Sequence, residues 1–248
     1  MAELWDSGGN SMPGVAVKDL SQWRGAEAPA GAVLEGRFVR CEPFRPGAHA
    51  AQLFDACSGR EDLWTYMPWG PFQSAASFHK QMTALTSDPG WHYYAICDRE
   101  TGKCLGKAAY LRIAPEQGSI EVGGITYAPA LQRSPLATEA MVLMMRWAFA
   151  HGYRRYEWKC NAQNLASRRA AQRLGFSYEG VFRQHMVVKG KNRDTAWFAV
   201  TDGDWPALSE AYDFWLSETN IGADGTQRER LSDLTKLVRV SSDPALEG

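Results

Sequence analysis

The pattern of hydrophobic and polar positions predicts three consecutive strands, Trp91–Cys97, Cys104–Ile113 and Ser119–Tyr127. Asp98–Lys103 and Pro115–Gly118 separate them with hairpin chemistry, so the three form an antiparallel meander. A strong helix follows from Pro135 to about His151, carrying Leu136, Ala140, Leu143, Met144, Trp147 and Ala148 at core spacing and stopped by Gly152. Tyr156–Cys160 reads as a buried strand, Asn164–Leu174 as a helix ended by Gly175-Phe176. Val181–Val188 pairs with Thr195–Thr201 across a Gly190-Lys191-Asn192 turn. Upstream, Val33–Phe44 has strand character, and Pro46–Cys57 has helical spacing through Ala50, Leu53, Phe54 and Cys57. Ser74 caps a helix to about Ser87 with Phe78, Met82 and Leu85 on one side. The resulting order is β α α β β β α β α β β, and the step from Ser119–Tyr127 to Tyr156–Cys160 implies a right-handed crossover between parallel strands.

Three segments follow from this pattern. Residues 1–32, with Gly8-Gly9, Pro13-Gly14 and Gly25–Ala32, form an extension without sustained periodicity. Residues 33–217 form the folded domain, closing with an amphipathic stretch through Leu208, Tyr212, Trp215 and Leu216. Residues 218–248 are a polar tail in which Leu231, Leu234, Leu237 and Val238 allow a short docking helix.

Composition narrows the classes. Lys and Arg number 27 against 28 Asp and Glu, a net charge of −1, which lacks the basic footprint of a nucleic-acid binder. No run reaches the roughly 18 apolar residues of a spanning helix, and Met1–Asn10 has no signal-peptide core, so a cytoplasmic location without membrane contact is expected. The five cysteines are scattered without a C-x-x-C pair and the histidines lack ligand spacing; no metal is expected. Ten tryptophans must find a core, a pocket or an interface.

Candidate chemistry gathers at Ala130–Glu139, where a strand passes into a helix with Ser134 at the N-cap and Pro135 at the first helical position. Such an opening presents free N–H groups and the positive end of the macrodipole to a phosphate, and Arg133 adds charge beside it. Paired Gly123-Gly124 inside a strand mark a bulge or a close backbone approach. Glu121, a carboxylate near that bulge, is placed to take a proton directly or through a water.

This order of elements, with the Ala137-Thr138-Glu139-Ala140 string, Asn164-x-x-Ser167 … Leu174-Gly175-Phe176 and the terminal hairpin, resembles the GNAT acyltransferase superfamily over about residues 33–205. The nearest likeness is to its ribosomal-protein-alanine, RimJ/RimL-like, branch. The resemblance implies an α/β fold: a mixed, mostly antiparallel sheet with a central parallel pair splayed at a β-bulge, flanked by helices. It implies acetyl-CoA as co-substrate, the pyrophosphate held by Gln132, Arg133, Ser134, Leu136, Ala137 and Thr138. The pantetheine would lie on the backbone of Ile125, Thr126 and Tyr127 and on Asn164, with Arg168 and Arg169 near the ribose phosphate. It places the Ser167 hydroxyl by the thioester sulfur, where other members use a Tyr. The acceptor is an amine, either a protein or peptide N-terminus or a small molecule, facing Trp64, Tyr66, Met67 and Trp69 of the aromatic loop and Arg183 and His185 of the hairpin. Pro135 departs from the family's Gln/Arg-x-x-Gly-x-Gly/Ala turn and removes one N–H. That departure and the missing Tyr leave open a non-catalytic acyl-CoA-binding or protein-interaction module on the same fold.

Overall fold

A computed structural model describes residues 19–222 and 226–246. In chain order the strands are β1 (Leu34–Glu35), β2 (Val39–Pro43), β3 (Trp91–Asp98), β4 (Cys104–Ala114), β5 (Ser119–Tyr127), β6 (Arg155–Asn161), β7 (Ser177–Val188) and β8 (Lys191–Thr201). The helices are α1 (Pro46–Ala56), α2 (Ala75–Thr86), α3 (Pro135–Ala150), α4 (Leu165–Arg173), α5 (Trp205–Leu216) and α6 (Leu231–Thr235). One eight-stranded sheet runs β1-β2-β3-β4-β5-β6-β8-β7, antiparallel everywhere except for the parallel pair β5–β6. No helix among the described residues is long and apolar enough to cross a membrane.

Strand alternation divides the core between the two faces. Tyr110, Ile120, Val122, Tyr156, Trp158 and Phe198 point to one side and pack under α3 and α5 with Met141, Met144, Met145 and Tyr212. Tyr93, Ala95, Cys97 and Ala109 point to the other and pack under α1 and α2 with Leu53, Phe78 and Met82. Burying each such large side chain contributes about 1.5–3 kcal/mol. α3 is the central prop: Tyr110 donates its hydroxyl to the Met144 carbonyl at 2.6 Å.

The expected first strand is broken in two by a turn at Gly36–Phe38, whose cause lies a hundred residues away. The buried Glu139 carboxylate accepts the N–H groups of Arg37, Phe38 and Val39 at 2.7, 2.7 and 2.8 Å. A buried anion with three backbone donors holds that turn to α3. At the N-terminal side, Trp23 donates to Gly152 O, and Ala26 and Glu27 bond Pro115 and His151, so this part of the extension is docked on the domain. The tail also docks: Leu231 is buried, whereas Leu237 is exposed. Val240 N–H and Ser241 Oγ bond the start of β7.

Candidate active site

β5 and β6 are paired only from Ser119–Arg155 to Val122–Trp158. Beyond that point β5 stays with β4 as far as Tyr127–Gly106, and β6 stays with β8 as far as Asn161–Thr195. The two parallel strands therefore part, and Gly123–Tyr127 have no β6 partner. At the parting, Lys107 pairs with Thr126 and Ala109 with Gly123, setting one residue of β4, Ala108, against two of β5, Gly124 and Ile125. This is the bulge expected from Gly123-Gly124. Gly124 adopts φ +59°, and a Cβ there would lie 3.1 Å from the Tyr93 ring and 3.3 Å from Trp91, so both conformation and space favour glycine. The buried Thr126 and Tyr127 hydroxyls beside the gap have no protein partner among the described residues.

Because β5 and β6 are parallel, the helices that follow them open at the same end of the gap. At the first opening Arg133 sits at φ +57°, and Ser134 Oγ accepts the Ala137 N–H at 3.2 Å while donating to Leu131 O at 2.6 Å. The Gln132 side chain donates to Tyr127 O at 3.0 Å, and the buried Thr138 hydroxyl accepts from Arg173 at 3.0 Å. Gln132, Ala137 and Thr138 thus use these groups to hold the turn. The N–H groups of Arg133, Ser134 and Leu136 have no partner among the described residues, and the Arg133 side chain is exposed. These free donors suit an anion.

At the second opening Asn164 Oδ1 caps the Ser167 N–H at 3.1 Å, leaving its amide NH2 without a partner among the described residues. Ser167 Oγ accepts the Trp158 indole N–H at 3.0 Å. An indole N–H only donates, so the serine hydrogen is left for an acceptor, and the Cys160 sulfur lies within its reach. Trp158 is also the last β6 residue paired with β5, which puts this serine beside the point of parting. The neighbouring Cys160 thiol is pushed up to about 11 by burial and stays protonated. Arg168 corrects an expectation: its buried guanidinium is clamped by both oxygens of Asp243 at 2.6 and 2.5 Å and bonds Ala162 O, so it faces the tail rather than a ribose phosphate.

On the α1/α2 face of the sheet, Glu121 is 3% exposed, with Oε2 at 2.7 Å from Arg112 and 3.1 Å from Lys159. Lys159 also reaches Glu157 at 2.6 Å and lies 3.6 Å over the Trp197 ring. Burial raises the Glu121 pKa above the ordinary value, opposed by the two cations. His185 bonds Thr195 Oγ1 at 3.0 Å against Phe182 and Trp197, and burial together with Arg112, Arg193 and Lys159 lowers its pKa. Glu121 and His185 are therefore brought into one cluster. From the aromatic loop, Tyr66 donates to Gln163 O at 3.2 Å, just before α4, and Lys189 of the hairpin tip donates to Trp64 O at 3.0 Å. The loop thus spans from α1/α2 toward β6–β8. Trp64 itself is a correction: it is 5% exposed, packed edge-on against Phe72 and beside Phe78, and belongs to the core. Trp69 remains partly exposed, edge-on to Trp91.

Known proteins share this fold. Residues 39–177 match the acetyltransferase (GNAT) domain family. This chain belongs to the GNAT acetyltransferase family. A GCN5-related N-acetyltransferase structure from Brucella melitensis is 42% identical, covers 87% of this chain and 99% of its own, and superposes with a TM-score of 0.84. A probable GNAT-family acetyltransferase from Chromobacterium violaceum is 37% identical over 78% of this chain and 98% of its own, with a TM-score of 0.74. RimL, the ribosomal L7/L12 α-N-protein acetyltransferase, solved in complex with coenzyme A, shares the fold at 19% identity over 69% of this chain and 99% of its own, TM-score 0.58.

One residue beside the bulge stands outside the motifs of the sequence. Lys107 on β4 is fully buried, donates to Gly124 O of the bulge at 2.6 Å, and stands 5.3 and 5.0 Å from the Trp69 and Tyr93 ring centres. Burial lowers its pKa to about 7. The available signal was a lone charge in the otherwise apolar run Cys104–Leu111.

Proposed function

We propose that this chain moves an acetyl group from acetyl-CoA to a primary amine by direct attack in a ternary complex. The observation that carries the reading is the gap opened beyond Val122–Trp158 with two helix N-termini at one end of it. The coenzyme supplies the activated thioester. Free N–H groups at Arg133, Ser134 and Leu136, with the Arg133 guanidinium, hold its pyrophosphate; each such charge–helix interaction is worth about 0.3–1 kcal/mol. The side of Ile125, Thr126 and Tyr127 that faces away from β4, left without a β6 partner, takes the pantetheine amides as a strand edge takes a peptide, and the free Asn164 amide adds a donor. Glu121 accepts the proton of the incoming amine, and the Ser167 hydroxyl donates toward the departing sulfur. Tyr66, Trp69 and His185 line the acceptor side. The likeness to RimL supports a protein or peptide N-terminus as acceptor, with a small amine as the other candidate within the same class.

The test is release of free CoA thiol from acetyl-CoA across a panel of peptides and small amines, run beside calorimetric acetyl-CoA binding. Turnover with at least one amine is expected. Binding without turnover on any acceptor would favour the non-catalytic module, which the lost N–H at Pro135 makes the natural rival.

A further inference from the structure

The α1/α2 face beside the bulge contains two kinds of cation. Arg112, Lys159 and Arg155 each meet a carboxylate, of Glu121, Glu157 or Glu179, within 3.1 Å. Lys107 meets none among the described residues. Among the described residues its only hydrogen bond goes to Gly124 O, although the side chain has three protons to donate and no exposure to water.

The groups around it share this imbalance. Trp69 Nε1 and the Tyr93 hydroxyl are both buried without a hydrogen-bond partner among the described residues. An indole N–H and an ammonium only donate, so with Gly124 O and the phenol oxygen of Tyr93 as the acceptors at hand the group presents more donors than acceptors. Leaving buried donors unmatched is costly, and the cost is relieved by an acceptor that carries negative charge. Gly124 keeps the approach open, since a Cβ there would fall 3.2 Å from the Tyr93 oxygen. The Trp69 and Trp91 rings above the group are partly exposed, so it lies one ring below the surface on the acceptor side of the bulge.

We propose that Lys107, Tyr93 and Trp69 form a receptor for a carboxylate borne by the acceptor, so that this chain acetylates amines carrying an anionic group close to the nucleophile. The carboxylate enters as the Trp69 ring swings aside, takes a charge-assisted bond from Lys107 and neutral bonds from the phenol and the indole, and so fixes the amine near Glu121. The proposal rests on the acetyl-transfer reading.

Its test compares two probes of one shape, N-acetylalanine and N-acetylalaninamide, titrated into the protein alone and with CoA, while CoA binding is measured separately. At least tenfold tighter binding of the carboxylate is expected in the wild type. Lys107→Met, which removes the buried charge at similar volume and so keeps the fold, should bring the two probes within about twofold of each other with CoA affinity unchanged. Tyr93→Phe and Trp69→Phe should each narrow the ratio by a smaller factor. Equal affinity of the wild type for both probes, absence of binding of either included, overturns the proposal. So does a Lys107→Met variant that keeps the wild-type ratio. A protein that prefers the carboxylate yet fails to bind CoA would refute the acetyl-transfer reading and leave the carboxylate receptor standing.

Discussion

Asp243→Ala should unfold the protein well below the wild-type temperature. Asp243 is fully buried, its two oxygens clamp Arg168 at 2.6 and 2.5 Å, and Oδ1 also accepts the Ala245 N–H at 3.0 Å. Arg168 keeps only the Ala162 carbonyl once the carboxylate is gone. Removing one member of a buried pair leaves an uncompensated charge and costs about 3–5 kcal/mol. For a chain of this size each kcal/mol corresponds to about 2–4 °C, so differential scanning calorimetry should show a loss of roughly 6–20 °C. Because α4 carries Asn164 and Ser167 at its start, acetyl-CoA affinity should fall with it. Replacing both partners by apolar residues, Arg168→Met with Asp243→Leu, should recover most of the loss, since the penalty comes from the orphaned charge and not from the absence of a pair. A shift below about 2 °C for Asp243→Ala, or a double variant no more stable than the single one, would refute this reasoning.

Other outcomes follow from the site. Lys107 has a folded pKa near 7, below its unfolded value, so the unfolded chain holds the extra proton between about pH 7 and the ordinary lysine range; this residue's contribution to stability therefore rises with pH across that window. Lys107→Met should raise Tm at pH 7 and flatten that rise, by on the order of a few kcal/mol. Glu121→Gln should lower kcat by about 10²- to 10⁴-fold. Since burial raises Glu121, the wild-type rate should climb with pH through a limb displaced above the ordinary carboxylate range, and the variant should lack it. Ser167→Ala should retain measurable turnover, whereas Arg133→Ala with Asn164→Ala should hurt more, because positioning reaches effective molarities of about 10⁵–10⁸ M; steady-state kinetics showing the reverse order would refute this division.

What the chain discloses by itself is local. Gly123-Gly124 announces the bulge because glycines in a strand have few other uses, and Ser134 and Asn164 announce two helix openings because capping is decided within three residues. Contacts across long separations are not written this way. Arg168 looks like any helix arginine until Asp243, 75 residues later, folds back on it. Trp64 and Trp69 stand in one aromatic loop, and only the packing of Phe72 and Phe78 shows that the first belongs to the core while the second keeps an exposed edge. The break at Gly36–Phe38 requires Glu139, whose place in the Ala137-Thr138-Glu139-Ala140 string carries no sign of a partner a hundred residues upstream. Lys107 is a lone charge in an apolar run, and its meaning depends on Tyr93 and Trp69 arriving from two other elements.

The central claim is that the gap between β5 and β6 holds acetyl-CoA. Isothermal titration of acetyl-CoA into the wild type and into the Arg133→Ala, Asn164→Ala double variant tests it most directly. One binding event per chain, weakened at least tenfold in the variant, with Tm lowered by no more than the few degrees that loss of the Asn164 cap accounts for, is the predicted result; no saturable binding by the wild type, or equal binding by both proteins, would contradict it.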